Sequence, residues 1–161
     1  QCFSWAVVQA LKRHKVLWVV LFFSMGIKNM VNQIEQPFAR SLVSCDTPVD
    51  PDVYSGSMWC GDRYQVIQEG MYISGLGQGQ EHFAMLCSLT FVIIITGIWG
   101  PKASLLVGLI GVTLSVFLFC IATISPLLGR RLFAIGQGLQ GLYPIEYLVG
   151  QLMLYSSMIE G

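Results

Sequence analysis

The chain is built of long apolar blocks separated by short polar breaks. The first block, "VLWVVLFF", runs straight into "SMGIKNMVNQIEQPF", Ser24 to Phe38, where Lys28, Asn29, Asn32, Gln33, Glu35 and Gln36 interrupt an otherwise lipid-compatible run. His82–Trp99 contains no formal charge with a neutral histidine, Ala103–Ile124 contains none, and Leu132–Met158 contains Glu146 alone. Each of these blocks is long enough for the roughly 20 residues of a bilayer-spanning helix. Runs this long and without two-residue alternation are helices, which satisfy their own backbone in hydrocarbon. The pattern predicts an all-α integral membrane fold of four transmembrane helices, at about 14–36, 82–99, 103–124 and 132–158. An interfacial segment, 1–15, precedes this membrane domain of 16–158, and one long loop, 37–81, joins helices one and two.

Helical geometry decides where the polar residues of the first span point. With Lys28 at roughly 0° on a helix of about 3.6 residues per turn, Asn29, Asn32, Gln33, Glu35 and Gln36 share one arc of about 160° with it. Ile27, Met30, Val31, Ile34 and Phe38 fall opposite, between about 200° and 300° on the same wheel. A charge at the bilayer centre costs ~2.5–3.5 kcal/mol on the insertion scale. The polar arc therefore faces a cavity, a partner or the bundle interior, or else residues 28–36 have left the hydrocarbon as an amphipathic interfacial turn.

The fourth span shows a second stripe. Gln137, Gln140, Pro144, Tyr147 and Gln151 recur at helical spacing, and Gly136, Gly138, Gly141 and Gly150 allow neighbouring backbones to approach. Pro144 removes one backbone donor and is expected to kink the helix. Glu146 falls off the amide stripe and is expected to meet a neighbouring helix, with Arg131 or Lys102 as partner.

Composition agrees with a membrane protein: 54% of the 161 residues are hydrophobic and 11% charged, about half the charge of a soluble domain. Lys12, Arg13 and Lys15 precede the first span and Lys102 lies in the two–three turn, whereas the loop 37–81 is acidic. The positive-inside rule then places the N-terminus on the cytosolic or equivalent side and the loop outside; Arg130 and Arg131 run against this bias. In such a loop Cys45 and Cys60 are candidates for a disulfide. Cys87 and Cys120 are expected in the core, and His14 and His82 at span edges. "ISGLGQGQEHF" alternates glycines but lacks the Lys-Ser/Thr of a phosphate loop. No basic tract suggests nucleic acid, and no nucleophile–base pair or metal-ligand spacing suggests an enzyme, a cofactor or a metal.

"GIWGPKASLLVGLIG" looks like the turn between the second and third helices of the major facilitator superfamily of transporters. "GRRLFAIGQGLQGLYPIEYLVGQ" resembles fourth helices of its sugar and organic-ion branches. The chain departs from the family at Gly97 and Ile98, where an acidic and a basic residue usually stand. The resemblance implies twelve helices in all, built from three-helix repeats, so this chain is expected to be an N-terminal portion. It further implies transport of a small polar or ionic solute by alternating access. Lys28, Asn29, Asn32, Gln33, Glu35, Gln36, Gln137, Gln140, Tyr147 and Gln151 are the expected path, and the lipid bilayer and the remainder of the transporter are the expected partners. The alternative is a small accessory subunit of a large respiratory or photosynthetic membrane complex, in contact with neighbouring subunits. A junctional four-span protein of claudin type fits less well, because Trp59 stands directly beside Cys60.

Overall fold

Each apolar block folds as helix, and the helices run further than hydropathy alone indicates. The computed structural model describes residues 8, 12–50, 52 and 56–159. Their helices are α1 Lys15–Ser41, α2 Arg63–Trp99, α3 Pro101–Ala122, α4 Pro126–Gln140 and α5 Tyr143–Ile159. α1, α2 and α3 are long and apolar enough to cross a membrane, which makes the chain a multi-pass membrane protein by length and composition. Most of the segment expected at the interface, 1–15, lies outside the described residues.

Two boundaries differ from the sequence expectation, each for a physical reason. The connection between the first two helices is not 37–81 but only residues 42–62, because α1 continues through Pro37 to Ser41 and α2 begins at Arg63. Asp62 caps α2 by accepting from the backbone N–H of Tyr64 at 2.9 Å and of Gln65 at 3.3 Å, which satisfies two of the donors that a helix start leaves open. The polar, glycine-rich stretch that follows is held helical by packing. Val66, Gly70, Ile73, Ser74 and Gly77 are buried, and a Cβ at Gly70 would stand 3.1 Å from the Arg40 Cα.

The second difference lies in the fourth block, which is two helices interrupted at Gly141–Leu142. Pro144 does not kink a continuous helix. It sits in the first turn of α5, where a missing N–H costs little. The break also rotates the two halves of the expected stripe relative to one another.

The short connection folds onto the end of the bundle. Cys45 and Cys60 are disulfide-bonded with Cα atoms 4.9 Å apart, and Cys45 N–H donates to the Trp59 carbonyl at 3.4 Å. Leu42, Val43, Cys60, Val66 and Ala122 form the buried layer beneath. Phe38 of α1, Phe119 of α3 and Phe133 of α4 extend it as a trio with ring centroids 5.5–5.8 Å apart. At the opposite end α2 and α3 meet in a hairpin at Gly100, whose φ of 81° suits glycine. The hydroxyls of Thr96 and Ser104 bridge that hairpin at 2.8 Å. Cys87 is half-buried and Cys120 is exposed, so Cys120 is not the core residue expected.

Candidate functional site: a buried polar seam

Between α1, α2, α4 and α5 the polar side chains form a seam along one edge of α1. Leu21, Ser24, Val31, Glu35 and Ala39 are its buried positions, at spacings of three, seven, four and four that define one helix face. Three polar layers stand on that face. In the first, the Ser24 hydroxyl donates to Glu146 Oε2 at 2.7 Å. In the second, the Lys28 ammonium pairs with Glu81 Oε1 and donates to Gln140 Oε1 at 2.9 Å. In the third, the Ser74 hydroxyl donates to Glu35 Oε1 at 2.9 Å and the Gln78 amide donates to Glu35 Oε2 at 3.3 Å. With a rise of 1.5 Å per residue, the layers are separated by about 6 Å and about 10 Å along α1.

Glycines at the helix crossings place the layers. At Gly108 of α3 a Cβ would lie 2.7 Å from the Glu146 Cβ and 2.8 Å from its nitrogen, so α3 touches the α5 backbone beside that carboxyl. At Gly141, in the break, a Cβ would lie 2.5 Å from the Glu81 carbonyl oxygen, which brings Glu81 and Gln140 to the same ammonium. At Gly77 it would meet the Gln137 side chain at 3.0 Å. In lipid, where apolar surfaces gain little by meeting each other, such close approach is what holds helices together.

The seam is not saturated. Gln137 is 0% exposed and neither of its amide atoms finds a partner among the described residues. Gln140 Nε2 and Glu146 Oε1 are likewise buried and unpartnered. A buried polar atom left unpaired costs ~1–3 kcal/mol, so this concentration is an expense that packing alone does not explain. Glu146 engages neither Arg131 nor Lys102, the partners expected; Arg131 is exposed. The arginine that does pair is Arg130, with Glu69 at 2.7 Å.

No family model, no curated protein and no solved structure matches the chain.

Of the ten residues expected to line a path, Lys28, Glu35, Gln137 and Gln140 stand in the seam. Asn29, Asn32, Gln33 and Gln36 are exposed on the flank of α1 beside it, and Tyr147 and Gln151 are exposed on α5. The expected single stripe on the fourth block is therefore split: its first two glutamines turn inward and its last two members outward. Tyr147 stacks on Tyr143 with centroids 5.9 Å apart. Ser24, Ser74, Gln78, Glu81 and Glu146 are the members that the wheel of α1 alone misses. Ser74, Gln78 and Glu81 follow at spacings of four and three, a helix-face signal hidden by assigning that stretch to a loop.

Proposed function

We propose that this chain is part of a membrane transporter, and that the seam with its flanking amides lines the route of a small polar or ionic solute. The observation that carries the reading is the exposed row Asn29, Asn32, Gln33 and Gln36 on a membrane-spanning helix, directly beside buried unpartnered amides. Hydrocarbon cannot hydrogen-bond such a row, so it requires a polar environment. α4 and α5 together form the fourth crossing in this reading, and the resemblance to major facilitator transporters supplies the alternating-access mechanism and the remaining helices. The amides bind reversibly, with no covalent change in the solute. The three layers hold three carboxyl groups, Glu35, Glu81 and Glu146, against one ammonium, that of Lys28, which favours a neutral or cationic solute over an anion. The test is uptake into proteoliposomes by the full-length protein bearing Asn32→Ala or Gln140→Ala. Loss of uptake of one solute class at normal protein level supports the lining; unchanged uptake of every transported solute refutes it.

A second reading has its own observation. Gly75 and Gly79 of α2 have nothing within 4 Å of a Cβ position, and with Gly138 they line an open groove of about 480 Å³. A small-residue groove on a membrane helix suits a helix of another subunit. Blue-native electrophoresis separates the two: the 17.8 kDa chain migrating within a large respiratory or photosynthetic complex supports the accessory-subunit reading.

A further inference from the structure

A cleft of about 450 Å³ opens between the N-terminal ends of α1 and α3. Its rim carries Arg13, His14, Lys15 and Lys102, and its walls are Val16, Leu17, Val20, Leu105, Leu106 and Leu109. Glu146 closes its inner end as the only carboxyl among the described lining residues, with Met153 beside it. Both helices start at this rim and run inward together, so the apolar walls extend about 10 Å, the rise of the seven residues from Lys102 to Leu109. α3 starts at Pro101 directly after the hairpin. Its first-turn N–H groups add the positive end of a helix dipole to the rim.

We propose that this cleft binds an anionic phospholipid, with the phosphate at the Arg13–Lys15–Lys102 rim and one acyl chain along the leucine wall. Two features carry it together. The rim is cationic and the interior apolar, which is the polarity of an anionic amphiphile and the reverse of an organic cation. The rim also sits where two of the apolar helices, α1 and α3, have their basic N-terminal ends, and such helix ends lie at the depth of lipid headgroups. Free inorganic phosphate shares the headgroup chemistry but has nothing to place against Leu105, Leu106 and Leu109.

The test uses native mass spectrometry of the purified protein with phosphatidylglycerol or phosphatidylcholine, and with inorganic phosphate alone. Phosphatidylglycerol should be retained at least tenfold better than phosphatidylcholine. Each basic residue near a headgroup contributes about fivefold, so the triple variant R13Q/K15Q/K102Q should abolish that preference. These three residues are exposed, so the variant should fold, which its thermal unfolding checks. Leu106→Trp, which narrows the apolar wall and keeps the rim charges, should also lower retention. Equal retention of the two lipids, unchanged binding in the triple variant, or phosphate alone competing as well as the lipid would each overturn the proposal. So would loss of binding on Glu146→Gln with none on the triple variant, the result expected of a cation held at the inner carboxyl.

Discussion

Replacing Lys28 by methionine tests whether the middle layer of the seam is an energetic unit. Lys28 and Glu81 keep 12% and 17% of their side-chain exposure, and the ammonium serves both Glu81 and Gln140. The Glu81 backbone is held close against Gly141, which fixes the helix position from which its carboxylate reaches the ammonium. Removing one partner of a buried pair costs ~3–5 kcal/mol, and the residual exposure of Glu81 puts Lys28→Met near the lower end, about 3 kcal/mol. Glu81→Leu should cost about the same, since it strands the ammonium instead. The double variant removes both charges and leaves Gln140 Oε1 without its donor, a loss of about 1–2 kcal/mol. Two singles of about 3 kcal/mol against a double of about 2 kcal/mol give a coupling of about 4 kcal/mol. Reversible unfolding in mixed detergent–SDS micelles, followed by circular dichroism, measures all three variants. A Lys28→Met cost below about 1 kcal/mol, or a double variant equal to the sum of the singles within about 0.5 kcal/mol, would refute the coupled layer.

Other outcomes follow from the same geometry. Gly108→Ala puts a methyl group against the Glu146 backbone at 2.8 Å and should destabilise by about 1–3 kcal/mol in the same unfolding assay. Gly26→Ala meets nothing within 4 Å and should stabilise by about 0.5–1 kcal/mol, the helix-interior difference between the two residues. Gln137→Leu removes two unpartnered buried polar atoms; it should hold or raise stability while lowering uptake, the signature of a polar group kept for function. Replacing Cys45 and Cys60 by serine opens a link across 15 positions and should cost up to about 3 kcal/mol, with a matching loss when the native protein is reduced.

The apolar blocks reveal that the chain is helical and membrane-embedded, because a bilayer demands length and low charge over a contiguous run. A hydropathy reading loses α2 before His82. The stretch from Arg63 to Glu81 is polar and glycine-rich, and its helix rests on contacts with Arg40, Phe133 and Gln137 that lie far away in sequence. The break at Gly141–Leu142 is equally hidden. Proline at 144 predicts an irregularity, but only the approach of Glu81 to Gly141 decides where the helix stops.

The candidate site divides in the same way. The wheel of α1 places six polar residues on one arc by periodicity alone, which needs no knowledge of neighbours. Which members of that arc turn inward is a property of the bundle. Lys28 and Glu35 meet α2, whereas Asn29, Asn32, Gln33 and Gln36, a fraction of a turn further round, remain exposed. Sequence thus determined the helices, their membrane character and the existence of a polar face, all of which depend on local composition and period. Tertiary structure decided the pairs Ser24–Glu146 and Lys28–Glu81, 122 and 53 positions apart, because a hydrogen bond depends on where helices cross, and glycines distant in the chain set those crossings.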